Sequence, residues 1–474
     1  MPAKLSLAML NQVQRCCASE EARVLQRKNV LLVAHEFPPI GGVGVQRPFK
    51  FAQYLPEFGW HPIVLTQVAR YSATWDESLL DALSDVPIYR AQDPMTSMQH
   101  LLRKEQTTPA QVSQGPKTHE ATYINPASPT VKQRVIKMGK RWKDALFIPD
   151  ETMLWVNHAV RLGLEVVQNH TVSAIYATSP PASSLLVAAT LSERTGIPLV
   201  IDFRDPWVAN LHKKQYGFRH RLDTWLEAYA VVRASRVVTV TDSFCHDFIS
   251  RYPGQEHKFH VIPNGYDRAD LQLDHKVKKD TRVMTIYYGG ILYGKRSPKA
   301  FLEGLAAALS SGKVPRDKIK VHFAGVFDYP GKHDNLTLVQ RLGLTDVVNI
   351  IGYVPHHEHA TWMAKADVLL LVGDQTQGAG AYVPAKLYEY LGMGRPILTL
   401  VQPGEASRLV NECHAGLLGA PDNSADAKRA IEEFFALWQA GDLANWQLSP
   451  LAVMYDRKEQ SRMLAGQLDA IIHE

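Results

Sequence analysis

Short apolar runs recur along this chain as unbroken blocks, and helical stretches separate one block from the next. An apolar run without alternation is typical of a strand that is buried on both faces, as in a parallel sheet. Helical periodicity fills the intervals, for example over 46–58 and 183–195. This alternation predicts an α/β fold with doubly wound sheets. The runs lie at 29–34, 62–66, 86–90, 174–178, 198–202, 236–240 and 259–263, and then at 282–290, 320–325, 347–354, 366–373, 395–400 and 415–419.

The pattern stops once, at 271–280, where the residues are charged and carry no apolar period. We therefore predict a linker near 268–280 between two similar domains, and 474 residues are enough for both. The stretch 454–472 has the pattern of an amphipathic helix, which we expect to pack back on the first domain. The predicted divisions are an N-terminal extension (1–28), a first domain (29–270), a second domain (276–447) and a C-terminal segment (448–474).

Charge and cysteine content exclude several classes of protein. Lys and Arg number 52 against 47 Asp and Glu, and a net charge of +5 is too small to predict a nucleic-acid partner. The four cysteines, Cys16, Cys17, Cys245 and Cys413, lack paired metal-ligand spacing and are too few for a disulfide framework. We expect no secretory signal at the N-terminus, where the apolar run is too short, and no run of about 18 apolar residues follows. We expect a cytoplasmic protein.

One insert interrupts the first domain. Residues 104–130 are rich in Thr, Pro, Gln and Ser, and a loop of this length is usually functional or disordered. The next stretch, 131–147, places apolar residues including Trp142 on one helical face with bases around them. This composition fits a helix on an anionic membrane surface, and equally a surface helix packed on its own domain. The bases are Lys132, Arg134, Lys137, Lys140, Arg141 and Lys143.

A glycine-rich turn, Gly41-Gly42-Val43-Gly44, follows the first predicted strand. Such a turn exposes backbone N–H groups at a positive helix end, which suits phosphate or an oxyanion. It is not a dinucleotide fingerprint, because Arg47 occupies the position of the third glycine and the second strand ends without an acid for the ribose. The alternative interpretation is a tight turn that needs positive φ.

A second glycine-rich turn, Gly289-Gly290 to Gly294, follows the first strand of the second domain and leads into Lys295 and Arg296. The spacing is close to that of a P-loop, but Arg296 stands where a hydroxyl must bind Mg²⁺. The turn and its two cations therefore suit a diphosphate held without a metal. The alternative is that the two cations are solvated surface residues.

A third motif spans 378–397, where a loop enters a helix near Pro384 and the helix ends at glycines before a strand. Lys386 and Glu389 share one face of this helix near its N-terminus. A carboxylate in this position can accept two hydrogen bonds from a ribose 2′,3′-diol, and the amine and the helix dipole can meet phosphate. The alternative is a local Lys–Glu ion pair.

Taken in order, these motifs resemble the GT-B retaining glycosyltransferases of family four, which use sugar nucleotides. The resemblance extends from Asn29 to the C-terminus. It implies two Rossmann-like domains facing each other across a cleft, with the donor held mainly by the second. The parts that carry it are FPPIGGVGVQR (37–47), TSPP (178–181), DFRDPW (202–207), VIPNGYD (261–267), GGILYGKR (289–296) and PAKLYEYLGMGRPIL (384–398).

The resemblance also implies roles for individual residues. Glu389 matches the later glutamate of the family's Glu–seven residues–Glu motif, whereas Ala381 stands at the place of the earlier one. Asp205 is expected to be catalytic, and the alternative is that it caps a helix or a turn before Pro206. The expected donor-binding residues are Gly289, Gly290, Lys295, Arg296, Lys386, Leu387 and Glu389; the expected acceptor-binding residues are Gly41, Gly42, Gly44 and Arg47; and the expected catalytic residues are Asp205, Arg296 and Lys386.

The implied activity is transfer of a sugar from a nucleotide-sugar donor to a lipid-linked or polysaccharide-precursor acceptor (an EC 2.4 reaction), with retention of configuration. We expect no metal and no other cofactor, because the sequence contains no Asp-x-Asp motif. The basic stretch 131–147 adds an anionic membrane surface as a partner, at the cytoplasmic face. The alternatives are a sugar-nucleotide epimerase of the same fold, a non-catalytic interaction protein of that fold, and, more distantly, a P-loop ATPase.

Overall fold

The structure of the protein is a computed structural model that describes residues 28–69, 75–95, 147–211, 217–271, 279–329 and 333–473. The first sheet has seven strands in the order β3-β2-β1-β4-β5-β6-β7. The elements of this domain are β1 (Lys28–Val33), α1 (Val43–Tyr54), β2 (Trp60–Gln67), α2 (Ser78–Asp81), β3 (Ile88–Ala91), α3 (Trp155–Asn169), β4 (Val172–Ser179), α4 (Ser183–Thr195), β5 (Leu199–Phe203), α5 (Gly217–Arg233), β6 (Arg236–Thr239), α6 (Asp242–Arg251) and β7 (Phe259–Val261).

The second sheet has six strands in the order β10-β9-β8-β11-β12-β13. Its elements are β8 (Met284–Ile291), α7 (Lys299–Ser310), β9 (Ile319–Val326), α8 (Asp334–Arg341), β10 (Val348–Gly352), α9 (His356–Lys365), β11 (Val368–Val372), α10 (Ala385–Gly392), β12 (Ile397–Leu400), α11 (Glu405–Glu412), β13 (Gly416–Gly419) and α12 (Ser424–Ala440). A last helix, α13 (Arg457–Ile472), follows.

Every strand pair in both sheets is parallel, which confirms the α/β prediction. The unbroken apolar runs are buried because helices cover both faces, as β11 illustrates with five buried residues out of five. In each sheet the strand order reverses once, between β1 and β4 and between β8 and β11. Ligands of such sheets bind outside the carboxyl ends of the strands at these reversals.

The C-terminal helix α13 packs on the first domain, as predicted. Leu464, Ala465, Leu468 and Ile471 are buried in the same core as residues of β1 and α1. Asp469 accepts a hydrogen bond from Trp60 Nε1 at 3.1 Å. The chain therefore crosses back after completing the second sheet, and the two domains are linked twice.

Several predictions fall on residues that the structure does not describe. They concern the extension up to residue 27, the insert 104–130, the basic stretch 131–147 except its last residue, and most of the linker. Among the described residues, no helix is long and apolar enough to cross a bilayer.

Arg47 corrects one of the sequence-based expectations, because its side chain is buried and does not face an acceptor. Its guanidinium donates to Asp202 from Nε at 2.7 Å and from Nη2 at 3.1 Å. It also donates to the carbonyl oxygens of Ile262 and Pro263, at 2.9 and 2.7 Å. Asp202 further accepts from the Tyr176 hydroxyl at 2.5 Å. This buried ion pair joins α1, β5 and the segment after β7.

We expect Arg47→Met to lower the free energy of unfolding by about 3–5 kcal/mol, because Asp202 would be left as a buried carboxylate without its cation. Urea denaturation of the purified protein measures this change. The matched control is Lys28→Met, which breaks a half-exposed ion pair with Asp469 and should cost less than about 1 kcal/mol. Equal effects of the two substitutions would contradict the structural role of Arg47.

Candidate active site

The two domains face each other where the carboxyl ends of their strands converge, and Tyr382 and Ala381 of the second domain contact the first domain there. The backbone N–H of Leu211 donates to the Tyr382 hydroxyl at 3.1 Å. The Tyr382 ring meets Phe244 edge to face, with ring centroids 4.9 Å apart. Thr241 Oγ1 donates to the carbonyl oxygen of Ala381 at 3.3 Å. Side chains at the ends of both sheets therefore line one space.

On the first-domain side, the glycine-rich turn is held in place by Arg204. The guanidinium donates to the carbonyl oxygens of Gly44, Ser179 and Pro180, the last two at 3.0 and 2.5 Å. Gly42 has φ 108°, a conformation that favours glycine. Val43, at the tip of the turn, is 68% exposed. The turn thus carries one exposed apolar side chain at the carboxyl end of β1.

Asp205 lies half-buried after β5, on the same side of the cleft. No described helix begins at this residue, so it caps none of the described helices, and the turn-cap alternative stays open. Burial raises the pKa of the Tyr382 phenol, and the Asp205 charge raises it further. The Asp205 charge therefore lies near the interdomain contact of Tyr382.

On the second-domain side, the Lys386 ammonium lies directly against the backbone of Gly290. A Cβ atom on Gly290 would come within 1.2 Å of Lys386 Nζ, and the φ of this glycine is 143°. The ammonium also stands 5.1 Å from the centroid of the Tyr288 ring. Burial and then the charge of Arg296 lower the pKa of Lys386 to about 8, against the opposing effect of Glu389. Only glycine at 290 leaves room for this cation.

Arg296 lies beside this ammonium with part of its side chain buried. Its guanidinium carbon is 5.3 Å from the centroid of the Tyr293 ring. Its buried Nε has no hydrogen-bond partner among the described residues. A buried donor without a partner is costly unless a ligand supplies an acceptor. The neighbouring cation, Lys295, has an exposed side chain.

The Gly289 amide corrects a second expectation, because it is already engaged within the fold. Its N–H donates to the Tyr390 hydroxyl at 3.3 Å. A Cβ on Gly289 would also come within 2.2 Å of the His359 ring, so glycine is required there for packing. The Tyr287 hydroxyl in the same cluster is fully buried, and burial together with the Glu389 charge raises its pKa. Glu389 therefore lies near this end of β8.

Leu387 corrects a third expectation. Its side chain is fully buried in the core of the second domain, and its N–H donates to the Pro384 carbonyl at 2.9 Å. Neither its side chain nor its amide is available to bind a nucleotide-sugar donor. The structure thus brings together Gly290, Arg296, Lys386 and Glu389, and their functional roles stay predictions.

Sequence reasoning missed a charged contact between the domains. The N–H and Oγ of Ser243 both donate to Glu405 Oε1, at 2.7 and 2.5 Å. Arg408 pairs with Glu405 at 2.7 Å and with Asp242 at 2.5 Å. Ser243 and Glu405 are 162 residues apart in sequence, so no local sequence pattern predicts their contact. Tyr382 was visible inside the third motif, but nothing in its spacing predicted a contact with Leu211.

Comparison with known families identifies the chain. A model of "Glycosyltransferase Family 4" matches residues 114–270, and a model of "Glycosyl transferases group 1" matches residues 275–444. The two matches fall on the first and the second sheet domain in turn. The chain belongs to the GT-B glycosyltransferases of the family-four type.

Curated relatives match over parts of their length. The putative colanic acid biosynthesis glycosyltransferase WcaL of Salmonella typhimurium is 34% identical over 100 residues, which are 21% of this chain and 24% of WcaL. The 2-deoxystreptamine glucosyltransferase of Streptomyces kanamyceticus is 24% identical over 220 residues, 45% of this chain and 54% of the relative. The chain thus spans about half the length of these relatives or less.

Solved structures with the same fold match over nearly the whole chain. Anabaena HepE in complex with UDP and glucose has a TM-score of 0.58 at 16% identity, covering 94% of this chain and 100% of HepE. A glycosyltransferase from Rickettsia africae has a TM-score of 0.56 at 14% identity, covering 94% and 98%. These likenesses show the GT-B fold.

The lowered pKa of Lys386 generates a prediction about pH. Between pH 7 and pH 9.5 the ammonium loses its proton, so a nucleoside diphosphate should bind about tenfold more weakly at the higher pH, since a charged hydrogen bond contributes roughly 1.5 kcal/mol or more. Isothermal titration with UDP across this range measures the change.

The matched variant is Lys386→Arg, which keeps its charge throughout the range and should flatten the pH dependence. If wild-type affinity does not change between pH 7 and 9.5, Lys386 does not bind the phosphates as a cation.

Proposed function

We propose that this protein transfers a sugar from a nucleotide-sugar donor to a lipid-linked or polysaccharide-precursor acceptor. The observation that carries the proposal is a pair of cations, Lys386 against Gly290 and Arg296 close to Lys386. Glu389 lies on the same helix face as Lys386. Two cations at the carboxyl edge of a parallel sheet suit a diphosphate. A carboxylate nearby suits the ribose diol of the same ligand.

In the proposed donor site, one group of residues binds the diphosphate and another binds the ribose. The Lys386 ammonium and the Arg296 guanidinium bind the diphosphate, with the Arg296 Nε that lacks a partner as one donor. Glu389 accepts hydrogen bonds from both ribose hydroxyls. Lys295, which is exposed, adds longer-range attraction to the phosphates. The Gly289 amide and Leu387 take no part in the proposed donor site, because both are engaged in the fold.

The proposed mechanism rests on electrostatic stabilisation. As the bond between the sugar and the diphosphate breaks, negative charge grows on the leaving group and the anomeric carbon becomes oxocarbenium-like. Fixed cations already in place stabilise this charge without reorganisation. In this proposal Arg296 and Lys386 take the part that a metal ion plays in other glycosyltransferases.

The proposed acceptor site lies across the cleft, on the turn that Arg204 fixes. Gly41, Gly42 and Gly44 let an acceptor approach the backbone closely, and exposed Val43 offers an apolar contact. Asp205 is the candidate to orient the acceptor hydroxyl. Retention would follow if the hydroxyl attacks from the face of the leaving group and its proton passes to the departing phosphate.

The names of similar proteins support a choice of substrates to test first. The HepE structures were determined with UDP, with UDP and glucose, and with UDP-glucose. WcaL is named for colanic acid biosynthesis, and the Streptomyces relative is named a glucosyltransferase. UDP-sugars are therefore the first donors to try. We propose a cytoplasmic setting, which suits the buried free thiols of Cys245 and Cys413.

We expect UDP-glucose to raise the melting temperature of the protein and Glu389→Gln to remove most of that rise. The glutamine side chain keeps the shape of glutamate but lacks the negative charge that strengthens hydrogen bonds from the ribose diol. A ligand at one hundred times its dissociation constant stabilises by about 2.7 kcal/mol, which thermal-shift measurement detects easily.

The matched control is Glu433→Gln, on the exposed side of α12, which should leave the rise unchanged. GDP- and ADP-sugars extend the screen. If no sugar nucleotide shifts the melting temperature, or if Glu389→Gln leaves the shift intact, the proposed donor site is wrong.

A further inference from the structure

Helix α5 of the first domain carries an apolar stripe that faces solvent. Phe218, Trp225 and Val232 are 77%, 63% and 58% exposed. Residues seven apart point in nearly the same direction on an α-helix, so the three side chains form a line about 21 Å long. Trp225 stacks on Tyr229, with ring centroids 6.4 Å apart and ring planes 20° from parallel. We call Phe218, Trp225 and Val232 the α5 stripe.

The charges of α5 are sorted by sign between its two faces. Its only acids, Asp223 and Glu227, are fully buried, where Trp207 Nε1 donates to Asp223 at 2.9 Å and the N–H of Val208 donates to Glu227 at 3.0 Å. The charged side chains that α5 leaves exposed are therefore basic.

These basic side chains stand at both ends of the α5 stripe. Arg221 is exposed near the N-terminal end, and Arg233 is exposed at the C-terminal end. Lys258 lies beside Val232 and donates to its carbonyl oxygen at 3.1 Å. One acid also lies close to the stripe, since the hydroxyl of Tyr229 donates to the exposed Glu193 at 2.8 Å.

We propose that the α5 stripe docks on the surface of an anionic lipid bilayer. Exposed Phe and Trp side chains in line, with Arg and Lys around them, have the chemistry of a surface that enters the headgroup region and pairs with anionic lipids. The opposite charge of the bilayer selects this occupant over an apolar protein groove, which would offer the flanking cations no counter-charge. The site is separate from the cleft residues described above.

The position of α5 relates this surface to the cleft. Leu211, whose N–H binds the Tyr382 hydroxyl, also has a side-chain carbon 3.5 Å from the place of a Cβ on Gly378. Residues 212–216 separate it from the start of α5, a reach of at most about 20 Å. The N-terminal end of the α5 stripe therefore starts within about 20 Å of the interdomain contact at Leu211. The further step is that a bilayer on the α5 stripe presents a lipid-linked acceptor to the cleft. This step rests on the proposed function.

Sedimentation with lipid vesicles tests the docking proposal on the full chain. We expect the protein to bind vesicles of phosphatidylcholine with about 30% phosphatidylglycerol at low salt and to bind pure phosphatidylcholine much more weakly. The double variant Phe218→Ser, Trp225→Ser should lower the partition coefficient into vesicles about tenfold or more. Each ring buries more than about 50 Å² of apolar surface when it enters the bilayer. Arg221→Gln should lower it about fivefold.

Two controls separate docking from general effects. Tyr329→Ser removes a 57% exposed aromatic ring from the second domain and should leave vesicle binding unchanged. Phe218→Leu, Trp225→Phe keeps the stripe apolar and should retain most of the binding. The donor-induced thermal shift should survive in every variant, so a failed donor site and a failed docking surface give different results.

Three results would overturn the proposal. The first is wild-type protein that does not bind the anionic vesicles at low salt. The second is a double variant that binds them as well as the wild type, which would place the contact elsewhere, such as at 131–147. The third is a dimer in light scattering that the double variant converts to monomer while neither form binds vesicles, which would make the stripe an interface between two copies of the chain.

Discussion

The close approach of the Lys386 ammonium to the Gly290 backbone is the contact on which the account of this molecule depends. It requires a glycine at the end of β8, a lysine in the first turn of α10, and the parallel order that places these two elements side by side. Burial makes the ammonium costly, and the neighbouring Arg296 makes it more so, which is why the pKa of Lys386 falls. Such a site gains stability when a polyanion enters it.

The two domains hold the residues at the cleft in place by different kinds of contact. In the first, the fully buried pair of Arg47 and Asp202 fixes α1 to the sheet, and Arg204 fixes the glycine-rich turn at its end. In the second, rings and glycines position the two cations. Between the domains, Glu405 binds Ser243, so the relative position of the two sides depends on polar contacts that a hinge motion can break and remake.

Local sequence patterns predicted the fold almost completely, because parallel strands buried on both faces must be unbroken apolar runs and β4, β8 and β11 follow that rule closely. The site was predicted in part. The proximity of Gly290, Lys386 and Glu389 could be predicted because paired glycines at a strand end and helix starts have local signatures, and the roles of these residues stay predictions. Arg47, Gly289 and Leu387 were misplaced, since whether a guanidinium, an amide or a leucine faces the cleft depends on partners far along the chain, such as Asp202 and Tyr390.

Proton uptake on ligand binding tests the central claim most directly. Calorimetric titration of UDP at pH 8, repeated in buffers with different ionisation enthalpies, gives the number of protons taken up per ligand. Because Lys386 has a pKa of about 8 in the free protein and a bound diphosphate raises it, we predict uptake of about half a proton, and none in Lys386→Arg. Tight binding without proton uptake would contradict the account, since the ligand would then lie away from this ammonium.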